Sequence, residues 1–196
     1  MYELDTLQIY LLIINAAALF VGLADWHASR HGRGITPFVS IAFSLLGGAP
    51  AMLITSFAAY GHTRKDNIAQ RFFAAWSLIA WVLVLANVYG WHRFDCARLV
   101  ESLGRSHLPL WIFLGVMNAL TFVLFCVDKG KARRDAWRIG EGVLLGRSLF
   151  GGALGGLLGM LLAHHKVRTP HFRIGLPLAL LLDLAAIAYL LQAGLV

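Results

Sequence analysis

Two asparagines stand deep in apolar sequence, each ten positions before an aspartate. Asn15 leads to Asp25 through Ala-Ala-Ala-Leu-Phe-Val-Gly-Leu-Ala, and Asn118 leads to Asp128 through Ala-Leu-Thr-Phe-Val-Leu-Phe-Cys-Val. On a helix each amide lies about 15 Å from its carboxylate. An amide at that depth either bonds to a neighbouring helix or lines a polar path. Beyond Asp128 come Lys129, Arg138 and Glu141, and further on His165, Lys166 and Arg168. These groups bind anions, pair with carboxylates or move protons. A carboxylate ending a helix opposes the helix dipole, so Asp128 is expected to pair with a cation of its own loop such as Lys129 or Arg138. Glu141, opening the next apolar run, suits a helix N-terminus.

The elements that carry these residues are membrane helices. The chain has 196 residues, 59% hydrophobic and 14% charged, with a mean hydropathy of +0.70. Soluble domains carry about 25% charge. Six apolar runs reach membrane-spanning length, near Leu7–Leu23, Pro37–Ala59, Phe72–Tyr89, Leu108–Val127, Gly142–Ala163 and Ile174–Leu195. The acidic start is unlike a signal peptide, so the first run reads as the first membrane helix. The net charge of +7 sits in loops beside apolar runs, where it anchors to anionic headgroups; no nucleic-acid motif accompanies it. With six crossings Lys and Arg divide eight to each face, and the positive-inside rule gives no orientation.

The halves repeat. Leu46-Gly47-Gly48-Ala49 aligns with Phe150-Gly151-Gly152-Ala153, and Gly47, Ala51 and Thr55 fall on Gly151, Gly155 and Gly159. His62-Thr63-Arg64-Lys65 and His165-Lys166-Val167-Arg168 then follow in register. The expected fold is all-α, six transmembrane helices as two three-helix repeats, residues 1–95 and 105–196. Three crossings per repeat would insert the second copy from the opposite side, an inverted repeat as in secondary transporters.

Gly151, Gly152, Gly155 and Gly159 form overlapping small-xxx-small patterns, matched by Gly47 and Gly48 in the second run. They read as close packing between the second and fifth helices, or as a glycine-lined path there. Pro50 is a candidate kink. Arg147 lies about 9 Å inside Glu141 and either snorkels or faces a polar cavity. His27 and His31 are four apart, but no zinc, catalytic or nucleotide motif is present, so no metal, cofactor or catalytic residue is assigned. Cys126 reads as core and Cys96 as loop.

The string Asn118…Asp128-Lys129…Ala132…Trp137-Arg138-Ile139…Glu141…Gly151-Gly152…Gly155…Gly159-Met160…His165-Lys166…Phe172 resembles the family called domain of unknown function 1294, over residues 111–190. The resemblance implies a small bacterial membrane protein, often one three-helix unit and sometimes led by a cold-shock domain. This chain has Gly140 where the family commonly has Pro and Val167 where it has Thr. The first half keeps Asn15, Asp25, Gly47 and Gly48 but has Trp26 at the Lys129 position and Pro37 near that of Glu141. It reads as a degraded copy.

Three functions fit. One is a small inverted-repeat transporter or channel in the bacterial inner membrane, for an anion or phosphate-bearing solute or lipid. Its path would lie between the second and fifth helices, with Asn15 and Asn118 at depth and Asp25, Asp128, Lys129, Arg138, Glu141, His165, Lys166 and Arg168 along it or at its mouths. Another is a non-transporting scaffold binding anionic lipid headgroups or a protein, with a homo-oligomer left open. The third, an intramembrane enzyme, requires Asp128, Glu141 and His165 to converge; with six straight crossings His165 lies on the far face, which counts against it.

Overall fold

The computed structural model describes residues 5–30, 37–59, 67–90, 95–103, 107–134 and 136–194. Among them the chain forms only helices: α1 (Thr6–Arg30), α2 (Pro37–Phe43), α3 (Ala49–Ala59), α4 (Asn67–Val88), α5 (Cys96–Leu103), α6 (Leu108–Arg133), α7 (Glu141–Arg147), α8 (Ala153–Leu162) and α9 (Pro170–Ala193). Six stretches are long and apolar enough to cross a membrane, two of them broken, at Ser44–Gly48 and Ser148–Gly152. Contacts divide the chain into two compact units, Met1–Trp81 and Val82–Val196.

In the second unit the fifth apolar stretch does not run straight. Gly151 takes φ +83°, next to Phe150 at φ −109°, ψ 47°. The left-handed conformation suits glycine, which has no Cβ to clash, and it ends one helix while Ala153 begins the next. A straight helix over those 22 residues would part its ends by about 33 Å. Yet the Asp128 carboxylate meets both the Ile139 N–H, before the stretch, and the His165 ring, after it, at 2.8 Å each. The chain therefore doubles back. α7 leads inward to Gly151, beside Leu114 of α6. α8 returns along α6, with Gly155 against Asn118 and Gly159 against Phe125. The stretch is a re-entrant hairpin.

The first unit builds the same shape. Gly47 takes φ +107° beside Leu11, Gly48 abuts Ala18, and Thr55 abuts Gly22. So α3 runs along α1 from Asn15 toward Gly22, over a core of Ala18, Ala51, Met52 and Ala74. Gly47 makes the break. Pro50 is the second residue of α3, where a missing N–H has no helical partner to lose.

These hairpins correct several expectations. The fifth apolar stretch, expected as one straight helix, turns back at Gly151 and brings His165 to the level of Ile139 beside Asp128. Gly152, Gly155 and Gly159 face α6, where the sequence pointed to a contact between the second and fifth helices. The first and fourth helices continue past Asp25 and Asp128 to Arg30 and Arg133, and Cys126 is exposed. Burial agrees with the dipping path: 61% of the second hairpin is buried against 11% of α6. Irregular backbone at membrane depth must be covered by protein or line water, whereas α6 shows Ile112, Val116 and Val123 outward.

At Gly155 a Cβ would fall on the Asn118 carbonyl, while at Gly115 nothing lies within 4 Å. Gly155→Ala should cost about 1–3 kcal/mol through overpacking, and Gly115→Ala should be silent or slightly stabilising. Thermal unfolding of the two variants in detergent compares them.

Candidate functional site

The tip of the second hairpin is held by two side chains. Asn118 Nδ2 donates to the Leu114 carbonyl at 2.8 Å and the Gly151 carbonyl at 2.7 Å, and its Oδ1 accepts the Gly155 N–H at 2.6 Å. Asp183, on α9, accepts the Gly151 N–H on Oδ1 and the Ala153 N–H on Oδ2, each at 3.3 Å. The α8 N-terminus carries partial positive charge, so a carboxylate is its natural cap. Asp183 stands about 20 Å along α9 from Pro170 and about 15 Å from Ala193, near mid-membrane. In the first unit Asn15 repeats the amide's work, donating to the Leu11 carbonyl at 2.8 Å and the Gly47 carbonyl at 3.0 Å, and accepting from Ala51 N–H at 3.3 Å. There neutral donors hold the break: Tyr10 Oη on Leu46, Trp81 Nε1 on Leu45 and Ser77 Oγ on Ser44 carbonyls.

The mouth of the hairpin gathers the charged residues. Asp128 is fully buried. One oxygen accepts the Ile139 N–H; the other meets His165 Nε2 at 2.8 Å and Lys166 Nζ at 3.2 Å. Lys166 Nζ also lies 3.5 Å from Glu141, whose second oxygen meets His171 Nε2 at 2.8 Å. Ionised carboxylates only accept, so both rings present Nε2–H. The result is two carboxylate–imidazole pairs bridged by one ammonium. Lys166 further lies 4.8 Å over the Phe172 ring, which meets Phe125 edge-on. Backbone geometry aims these groups. His164 and Lys166 take φ +48° and +60°, rare for non-glycine residues and sustained by the surrounding contacts. The His165 N–H donates back to the Met160 carbonyl, a helix end that turns the chain toward Asp128.

Asp128, Glu141, His165 and Lys166 thus come together. The far-face placement of His165 is overturned, because the hairpin returns it to the side of Asp128. Asp128 pairs with Lys166 and His165, and the expected loop partners lie elsewhere: Lys129 Nζ donates to the His164 carbonyl at 3.4 Å, and Arg138 and Arg168 are exposed. Glu141 does open α7, but its carboxylate turns to Lys166 and His171. Arg147 is exposed and pairs with no described acid. Asp25 is buried in the first unit. His31, His62 and His92 lie outside the described residues, as does the first-half segment matched to His165–Arg168. Among the described residues no three His, Cys, Asp or Glu groups cluster to hold a metal.

Sequence reasoning missed Asp183 and His171. Asp183 had a signal, being the sole charge in the apolar stretch from Ile174 to Leu195, and such residues are functional candidates by default. His171 had none, because its pairing with Glu141 requires the hairpin.

The fold and this site define a multi-helix protein with six stretches long and apolar enough to cross a membrane, one of which folds back on itself as a helical hairpin. Residues 118–172, from the tip asparagine to the mouth phenylalanine, match the family described as Protein of unknown function (DUF1294). "Uncharacterized protein YsdA" of Bacillus subtilis (strain 168) is 37% identical over 76 residues, 39% of this chain and 85% of that protein. The chain belongs to this family. No solved structure matches it.

Removing one partner of a buried pair strands the other charge. Asp128→Asn should therefore lower stability by about 3–5 kcal/mol, and Arg168→Gln, on an exposed residue, by less than about 0.5 kcal/mol. A double-mutant cycle of Asp128→Asn with His165→Gln, read by thermal unfolding, should return a coupling above about 0.5 kcal/mol.

Proposed function

We propose that the protein is a small transporter or channel for an anion or a phosphate-bearing solute, with the second hairpin as its gate. The carrying observation is the hairpin itself, a helix pair that enters to mid-membrane and returns to a charged mouth. Backbone of that kind occurs at depth only when buried or beside water, and broken helices are where transporters place their sites. The connection after Asp128 carries Lys129, Lys131, Arg133, Arg134 and Arg138, which favours an anion over a cation. Exposed Trp137 in the same connection suits the headgroup layer, with anionic lipids as neighbours.

The first unit is a degraded copy of the second on this reading. The matching bonds of Asn15 and Asn118 support it. So does the loss of the Lys129 equivalent to Trp26.

A second reading, an enzyme at the membrane face, draws on the convergence of Asp128 with His165 and of Glu141 with His171. Paired imidazoles within hydrogen-bond reach of carboxylates are the parts of acid–base catalysis.

Two measurements test the proposal. With Cys96 and Cys126 replaced, single cysteines after Asp128 and at Arg168 should react from the same side, and one at Arg98 from the other; labelling after Asp25 from the side opposite to that after Asp128 would favour the inverted repeat. Radiolabelled phosphate uptake into proteoliposomes should exceed that of empty vesicles and fall about tenfold or more in Lys166→Gln, with folding checked by gel filtration. Uptake equal to empty vesicles removes the transport reading for phosphate and leaves the enzyme reading ahead.

A further inference from the structure

We propose that Asp183 is a proton-binding site that latches the tip of the second hairpin, closed when the carboxylate is ionised and released when it takes a proton. The inference rests on the tip geometry and does not require transport.

Both oxygens of Asp183 are engaged by backbone N–H groups of the break, Gly151 on one and Ala153 on the other. The bonds are 3.3 Å long, at the far end of the hydrogen-bond range, so charge attraction to the α8 N-terminus carries much of the hold. A proton on the carboxylate removes that charge and turns one oxygen into a donor. That donor faces N–H groups that cannot accept. The latch therefore fails on protonation without any other change at the site.

A structural cap alone would not call for an acid. Serine, threonine or asparagine cap helix N-termini as well, without the cost of a charge near mid-membrane. The first unit makes the comparison within one chain: its break is held by Tyr10, Trp81, Ser77 and Asn15, all neutral. Among the described residues the second break is held by a carboxylate and the first is not.

Few other ionisable groups of the unit face this point. The segment forming α8 contains none. On α7, Arg147 is exposed and makes no ion pair with Asp183, and Glu141 is committed at the mouth to Lys166 and His171. On α6, Asp128 and Lys129 lie at the mouth, about 15 Å along the helix from Asn118. On α9 itself, Arg173 lies about 15 Å toward the mouth and Tyr189 about 9 Å toward the other end, and α5, with Cys96, Arg98 and Glu101, packs on α9 next to Asp95, which meets Gln192 about 14 Å along the helix from Asp183. Asn118 is the nearest polar side chain holding the same tip, and it does not titrate.

The test follows tip position by spin-label distances. Labels at Phe150 and Val116, both exposed, on a background without Cys96 and Cys126, report hairpin against α6 in reconstituted protein. The unsubstituted Asp183 protein should show one narrow distance near about pH 8 and a second, longer population near about pH 4, a span that includes the ordinary carboxylate range. Asp183→Asn should show the longer population at both values, raised about tenfold near pH 8. Asp183→Glu should restore the pH dependence. His165→Gln with His171→Gln should leave it in place, which separates the tip from titration at the mouth. A distance independent of pH in the Asp183 protein overturns the latch. So does an Asp183→Asn protein that still responds to pH. Neither reading involves flux, so the latch and the transport proposal stand or fall separately.

Discussion

A backbone that reverses at membrane depth strips N–H and C=O groups of their helical partners, and hydrocarbon offers no water in exchange. The rest of this protein is arranged around that constraint. Left-handed glycines at 47 and 151 permit the reversals, and glycines at 48, 152 and 155 bring the returning arm against the neighbouring long helix. That closeness lets a single asparagine reach both sides of the break. Asn15 and Asn118 each serve two carbonyls and one N–H. A substituent at Gly155 would push the partners apart, so small residues and amide act as one device. Of the two roles open to the asparagines, a bond to a neighbouring helix or a place on a polar path, the structure shows the bond.

The return of the second hairpin has a consequence at its other end. It carries His165 and Lys166 back to the level of Asp128 and Glu141, and the loop accepts left-handed conformations at His164 and Lys166 to present them. Because Asp128 is fully buried, its charge is tolerable only with three partners around it. Helix α8 joins the two ends. It starts at the tip held by Asp183 and finishes one turn before the mouth, a single helix of ten residues.

Much of this was legible in the residues. The six apolar stretches, the all-helical class, the paired Gly-Gly positions and four residues of the mouth, Asp128, Glu141, His165 and Lys166, all stood out, because hydrophobic length and residue type are local properties. The family resemblance rested on polar and glycine positions, and the matched segment runs over the same hairpin. What misled was treating every apolar run of sufficient length as a crossing. Length and hydropathy are the same for a helix that crosses and for one that breaks at Gly151 and turns back. From that single difference followed the exile of His165 to the far face.

The sequence by itself determined that six stretches are long and apolar enough to cross a membrane and where those stretches lie to within a few residues. Those conclusions depend on composition and on near neighbours along the chain. The direction of the hairpins was decided only by tertiary structure, since a left-handed glycine reverses a helix only when a neighbouring chain satisfies the groups it frees. The partners of Asp128, Glu141 and Asp183 were decided there too. Each lies 11 to 38 positions away along the chain, and only the folded hairpin brings them within bonding distance.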